Sequence, residues 1–385
     1  MILKWQELFL PFFILCRTEH KIIDNRLFPY KLRTMDKTNL LGNTIGDLEQ
    51  LMLSLGEQRF KGRQLFKWLY NLQQYDFGEM TDLSLGLRKK LSGQYFFSGL
   101  EAEEIKQSSD GTEKFLFRLE DGAFIESVLI PDGDKRTICI SSQAGCALGC
   151  RYCATGKIGF GRDLSAGEII GQLLYLRERD GMDAFRNIVL MGMGEPLLNY
   201  DNVKKSIEII SSEIGLSLSA KKITVSTAGI VPGIYRLADS DLKVNLAISL
   251  NAATDDKRAK LMPVARKYNL KELMEAARYF AQKRKKRITF EYIIFAGFND
   301  SRQDAIDLAR LIRGVPCKIN ILSLNPVAGI PYKRPSDDTV DEFARILYPR
   351  APAVTVRKSR GLDIGAACGQ LAGKKVYKKI KEKKE

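Results

Sequence analysis

TICISSQAGCALGCRYCATG, residues 137–156, is the stretch on which the fold turns. A short β-branched run, TICIS (137–141), leads into three cysteines, Cys146, Cys150 and Cys153, spaced three and then two residues apart. Thiolates at that spacing can hold three irons of a cubane 4Fe-4S cluster and leave the fourth iron without a protein ligand. A cluster that only passes electrons normally has four protein ligands, so an open iron is a place where a cofactor or substrate coordinates. The spacing points to chemistry at the cluster.

A structural zinc site is the competing explanation, and it asks for a second Cys-x-x-Cys pair or for histidines at matching intervals. The chain has one histidine, His20, far upstream, and its other cysteines (Cys16, Cys139, Cys317, Cys368) form no second pair. Beyond residue 136, strand-like segments alternate with amphipathic ones: TICIS, NIVLM (187–191), KITVS (222–226), VNLAISL (244–250), ITFEYIIF (288–295), KINILSL (318–324) and AVTVR (353–357). Such alternation implies parallel strands joined by helical crossovers. A closed eight-unit barrel takes about 250 residues and more repeats than these. The expectation is an α/β fold, a partial (βα)6 barrel over residues 136–373, open on one side.

In parallel α/β folds, binding groups collect at the C-terminal ends of strands. The cysteine run holds that position relative to TICIS, and other strand ends carry MGMGEP (191–196), Ser226, Ser249, Leu250, Asn251 and Asn325. Gly194 would let the backbone approach a ligand, and Glu195 adds a carboxylate suited to an ammonium group. Taken singly, each polar residue is an ordinary turn or cap residue. Around one barrel mouth they would grip an amino acid, a ribose and an adenine.

The rest of the chain divides by composition. Residues 1–34 contain LFLPFFILC (8–16), too short to span a bilayer, interrupted by Pro11 and followed by no small-residue cleavage site. We expect a nonessential extension there and no membrane anchor. Residues 35–100 read as a helical, basic accessory domain, with Leu65, Trp68, Leu69 and Leu72 in one apolar stripe flanked by Arg59, Lys61, Arg63 and Lys67. Residues 101–135 read as a β linker, with KFLFRLE (114–120) and AFIESVLI (123–130) about the turn Asp121-Gly122. Residues 374–385 form a basic tail, expected to be disordered without a partner.

With 385 residues, 45% of them hydrophobic, the chain can bury a full core, and its net charge of +15 fits a phosphate-covered partner such as nucleic acid. Seven cysteines in a chain of this length do not form a secreted disulfide framework. An iron cluster wants a reducing compartment, so the expected location is the cytoplasm.

The cluster run resembles the radical S-adenosylmethionine (SAM) enzymes, whose cofactor chelates the open iron. A closer resemblance rests on CISSQAGC (139–146), MGMGEPLLN (191–199), KLMPV (260–264) and VRKSRGLDIGAACGQLAG (356–373), which follow in order the pattern of the RlmN/Cfr family of RNA methyltransferases. It runs from about residue 40 to residue 373. One departure is Asn251, where members often have histidine. The resemblance implies one 4Fe-4S cluster on Cys146, Cys150 and Cys153, and two SAM molecules per turnover. It implies SAM contacts at Gly194, Glu195, Ser226, Ser249, Leu250, Asn251 and Asn325.

It also gives roles to residues that spacing leaves unassigned. Cys368 would be the methyl-carrying cysteine, Cys139 the thiol that resolves it, and Glu126 a proton acceptor. The implied reaction is methylation of C2 of adenosine in 23S rRNA and in tRNA beside the anticodon. It proceeds through a methylated Cys368, a methylene radical, a covalent RNA adduct and a Cys139–Cys368 disulfide, with an electron donor and a disulfide reductant as further partners. C2 lies between two ring nitrogens and is too electron-poor to attack a SAM methyl group directly. A Cfr-like enzyme methylating C8 is the near alternative; a non-enzymatic, metal-containing RNA-binding protein is the distant one. Arg357, Lys358, Arg360 and the run KRKKR (283–287) are candidates for holding phosphates.

Overall fold

Strand Ile288–Ile294 shows how the barrel is built. Ile288, Phe290, Tyr292 and Ile294 alternate on one fully buried face, while Thr289 and Glu291 point to the other. A computed structural model describes residues 37–133 and 135–371; the expected extension 1–34 and tail 374–385 lie outside the described residues. Its main sheet has ten strands, in the order Val354–Arg357, Cys317–Ser323, Ile288–Ile294, Asn245–Ser249, Ile223–Thr227, Asn187–Leu190, Lys135–Cys139, Phe124–Asp132, Glu113–Arg118 and Glu101–Gln107. The seven strands from Lys135–Cys139 onward in sequence are parallel.

The crossovers carry helices Ala166–Asp180, Tyr200–Ser211, Val231–Asp239, Leu270–Arg284, Arg302–Leu311 and Asp337–Leu347. Six strand–helix units and a seventh strand thus form the open α/β barrel that the alternation predicts. Local sequence starts several of these helices: Ser165 with Glu168, Asn269 with Glu272 and Ser301 with Asp304 each form a reciprocal capping box.

The strands before the barrel continue the same sheet. Phe124–Asp132 pairs antiparallel with Lys135–Cys139, and Glu113–Arg118 and Glu101–Gln107 follow in antiparallel order. Glu101–Gln107, EAEEIKQ, was not read as a strand from sequence. It is an edge strand, and its charged residues are the ordinary protection of an exposed edge.

Residues 37–96 form a small unit of helices Ile45–Ser54, Phe60–Tyr70 and Leu85–Gln94, with Thr38–Asn39 paired to Tyr95–Phe96. Its second helix ends at Tyr70, so Leu72 falls outside the expected stripe and is exposed; the buried side is Leu65, Phe66, Leu69 and Tyr70. Arg59 and Lys61 pair with Glu49 and Glu57, and Arg59, Arg63 and Lys67 are exposed on that flank. The unit docks closely on the first barrel helix: a Cβ on Gly42 would lie 2.2 Å from the Gly167 nitrogen. Among the described residues, no helix is long and apolar enough to cross a membrane.

Candidate active site

The cluster loop begins where strand Lys135–Cys139 ends. Gly145 has φ +85°, and a Cβ there would stand 2.0 Å from the Gly159 carbonyl, so only glycine permits this close turn. The Cys146 amide donates to the Gly159 carbonyl at 2.9 Å, and the Cys153 amide to the Cys150 carbonyl at 3.1 Å. The loop is backed by helix Asp255–Leu261 through the Arg151 amide and the Leu261 carbonyl, 2.9 Å.

Burial pushes the Cys146 thiol up to about 12 and raises that of Cys150, with Cys153 adding to both. The three thiols are therefore neighbours. Among the described residues, no three Cys, His, Asp or Glu side chains converge on one ion. A mononuclear zinc needs such convergence, whereas a cubane takes each thiolate on a different iron. The donor set fits a cluster.

Cys368 lies in the loop after the last strand, and this loop is fastened on two sides. On one, the Ala154 amide donates to the Gly369 carbonyl at 2.7 Å, and Asn325 Nδ2 donates to the Cys368 carbonyl at 3.1 Å. On the other, Ser108 Oγ and the Ser109 amide donate to the Asp363 carboxylate, and the Gly361 amide donates to Asp110 Oδ2. Lys114 Nζ donates to the Gly365 carbonyl at 3.1 Å.

Cys368 is exposed, yet the protein around it raises its thiol, first by desolvation and next through the charge of Glu291; Arg357 opposes both. Cys139 ends its strand in register with Val128 and Val189 and is buried. Burial raises its thiol, and Cys368 is the next contributor. Cys368 thus sits in a loop bonded to the cysteine loop that follows the Cys139 strand, with Cys153 among the groups acting on its thiol. Cys317 is buried in its strand, away from this group, as a small apolar filler.

Glu126 sits on the neighbouring strand, 1% exposed, and forms an ion pair with Lys114 at 3.3 Å. Its backbone carbonyl accepts from Ser141 Oγ at 2.6 Å. Glu195 is buried; its carboxylate accepts the amides of Leu197 (3.1 Å) and Ala228 (2.7 Å), and burial lifts it to about 7. It braces two strand ends against each other. Gly194, φ +103°, lies against Gln143, whose Oε1 accepts the Glu195 amide.

Register puts Ser226 opposite Ala247, and Ser249 in one row with Glu291 and Asn320, so Ser226, Ser249, Glu291 and Asn320 share a face of the sheet. Leu250 is buried, its amide bonded to the Glu291 carbonyl. Asn251 is fully buried at φ +58°, with Nδ2 on the Tyr152 hydroxyl (2.7 Å) and Oδ1 accepting the Ile293 amide (2.9 Å). Asparagine tolerates that conformation better than most residues, and here it ties the cluster loop to the barrel wall. Asn325 is 3% exposed and its Oδ1 has no partner among the described residues, which suits an amino or hydroxyl donor of the kind SAM carries.

Sequence reasoning missed Lys114, Gln143, Arg258 and Glu291. Arg258 is fully buried and donates to the carbonyls of Ala228, Ser249 and Leu250, with Cys150 and Tyr152 among the groups acting on its charge. The signal that would have found Arg258 and Glu291 is charge inside a barrel, visible only once the strands are placed.

Comparison with known proteins agrees with this geometry. Residues 140–309 match the Radical SAM superfamily, and residues 38–96 match the ribosomal RNA large subunit methyltransferase N-terminal domain. The chain is 44% identical over 340 residues to a dual-specificity RNA methyltransferase RlmN of Geotalea uraniireducens, covering 88% of this chain and 98% of that protein. It is 46% identical over 350 residues to the protein of the same name from Syntrophus aciditrophicus, covering 90% and 99%. The crystal structure of a radical SAM methyltransferase from Sphaerobacter thermophilus superposes with a TM-score of 0.81 at 42% identity, covering 86% of this chain and 98% of that one.

Proposed function

Because this chain belongs to the RlmN family of dual-specificity RNA methyltransferases, we propose that it methylates C2 of adenosine in the peptidyl-transferase centre of 23S rRNA and in tRNA beside the anticodon. What most directly supports this reading is the fastening of the Cys368 loop onto the cysteine loop, through the Ala154 amide and the Gly369 carbonyl at 2.7 Å, at the end of the barrel where the strand carrying Cys139 terminates. Cys146, Cys150 and Cys153 would hold the 4Fe-4S cluster. The chemistry such a cluster would supply when bound is one-electron reduction of SAM.

The chain's own residues then have distinct tasks. The Cys368 thiolate displaces the methyl group from one SAM, which is ordinary nucleophilic chemistry. A second SAM is consumed in removing a hydrogen atom from that methyl group, and the resulting carbon adds to C2. The adduct would give up one electron to the oxidised form of the electron carrier and the C2 proton to Glu126. Cys139 bonds to the Cys368 sulfur as the sulfur–carbon bond to RNA breaks; the electron pair stays with the carbon, which takes up a proton and becomes the product methyl group. Thiol exchange of this kind needs an aligned thiolate, and a reductant must reopen the disulfide.

Residues on the rim fit the RNA. A stacked adenine cannot offer C2 to a carbon held at the barrel mouth, so the base is extruded from its stack to reach it. Arg357, Lys358 and Arg360 are exposed beside the Cys368 loop, and Arg63 and Lys67 on the N-terminal unit; these cations hold phosphates and set register. Work on ribosomal and transfer RNA places the enzyme in the cytoplasm.

The test is mass spectrometry of nucleosides from rRNA and tRNA incubated with anaerobically reconstituted protein, reductant and methyl-labelled SAM. Labelled 2-methyladenosine that vanishes with Cys368→Ala is the expected result. Labelled 8-methyladenosine would reassign the target atom, and no labelled adenosine with SAM uncleaved would refute the reaction.

A further inference from the structure

Lys114 has no role in the chemistry described so far, yet it is one of the few lysines buried in the molecule, 8% exposed on strand Glu113–Arg118. Register explains why it reaches Glu126. Lys114 pairs with Val128 and Leu116 with Glu126, so Lys114 and Glu126 are diagonal neighbours on one face of an antiparallel pair. The ion pair is 3.3 Å long, between side chains that are 9% and 2% exposed. A lysine ammonium has three donors, and a second one goes to the Gly365 carbonyl at 3.1 Å, in the loop that carries Cys368.

We propose that Lys114 is the positioning residue of the proton-removal step, holding Glu126 ionised and locking it to the loop that carries Cys368. This rests on Glu126 as proton acceptor and Cys368 as carbon carrier. A carboxylate this deeply buried is stable only with its cation beside it. Without the ammonium, Glu126 would relieve its burial by taking up a proton, and a carboxyl already protonated cannot remove the C2 proton. The same ammonium fixes the Gly365 carbonyl, so the acceptor and the loop that brings the RNA-bound carbon share one anchor. Neighbouring strapping bonds from Ser108, Ser109 and Asp110 hold Asp363 and Gly361 of the same loop, and Lys114 joins that loop to the carboxylate.

The test compares Lys114→Met, Lys114→Gln, Lys114→Arg and Glu126→Gln in the reconstituted full-length enzyme. Three products are followed: methyl loading of Cys368 by peptide mass, covalent protein–RNA adduct on a denaturing gel, and 2-methyladenosine. Hydrogen exchange of residues 361–371 in the protein as purified is the readout independent of turnover.

Lys114→Met should keep the methyl loading of Cys368, accumulate adduct as Glu126→Gln does, and lose about a hundredfold in 2-methyladenosine, the low end of what positioned proton transfer contributes. Exchange in residues 361–371 should rise. Lys114→Arg should restore turnover and clear the adduct. Lys114→Gln keeps a donor for Gly365 without the charge, so it isolates the electrostatic part and replaces the Met variant should that one not fold.

Wild-type turnover in Lys114→Met or Lys114→Gln while Glu126→Gln is arrested would overturn the role of Lys114 alone. Wild-type turnover in Glu126→Gln would overturn the reading of Glu126 itself, and the role of Lys114 with it. Loss of methyl loading together with adduct in every Lys114 variant would reduce the residue to a part of the scaffold and also overturn the proposal.

Discussion

Asn325 Nδ2 donates to the backbone carbonyl of Cys368 at 3.1 Å, while Asn325 Oδ1 stays buried without a partner among the described residues. One side chain thus faces the carbon-carrying loop with its donor and offers its acceptor to the site. Replacing Asn325 with alanine should cost about 1 kcal/mol of stability for the lost hydrogen bond. It should also weaken SAM binding, measured by equilibrium dialysis of the reconstituted protein. Unchanged SAM affinity alongside a lower melting temperature would restrict Asn325 to its bond with the loop.

The two cysteines at the barrel mouth should arrest at different stages. Cys139→Ala should form the covalent RNA adduct and fail to release it, giving a protein–RNA band that survives denaturation. Cys368→Ala should give neither adduct nor methylated nucleoside. Equal adduct in both variants would contradict the division of labour between carrier and resolving thiol.

Gly194 has φ +103°, and a Cβ there would lie 2.5 Å from the Gln143 Cβ and 2.7 Å from the Gln143 nitrogen. Gly194→Ala should therefore destabilise the fold by about 2 kcal/mol or more from backbone strain and overlap together. Denaturant titration of the Ala variant checks this; a midpoint equal to wild type would mean that the 143 and 194 segments separate at little cost.

Glu178, half-buried on helix Ala166–Asp180, is lifted by desolvation from 4.5 to about 7. The folded state then binds this proton more tightly than the unfolded chain. Its contribution to stability is complete below pH about 4.5 and is lost as pH rises through about 7. Glu178→Gln should flatten that decline and gain about 1–2 kcal/mol at pH 8, after allowance for the solvent that reaches the group. Denaturation curves at pH 5 and pH 8 test it; the same difference between the two pH values in both proteins would refute it.

The parts of the site that are visible in the sequence are those whose chemistry is local. Cys146, Cys150 and Cys153 declare themselves by spacing, and Gly194, Ser249 and Asn325 by following apolar strand runs. Cys139, Cys368 and Glu126 have no local signal and came only from resemblance to a family. Lys114 is hidden differently: KFLFR reads as an ordinary strand, and its partners Glu126 and Gly365 come from the next strand and the end of the chain. Glu291 becomes noticeable only when register sets it beside Ser249 and Asn320. The strand EAEEIKQ was missed because an edge strand keeps the charged composition of a loop.

The fastening of the Cys368 loop to Ser108, Asp110 and Lys114 sets an order on biosynthesis. The hairpin that receives the loop leaves the ribosome before any barrel helix, and the loop itself follows the last barrel strand. The nascent chain therefore carries Cys139, Cys146, Cys150 and Cys153 for more than two hundred residues before Cys368 is added. On the proposed chemistry, a product cut short before residue 361 would keep the barrel strands and lack the thiol that carries carbon.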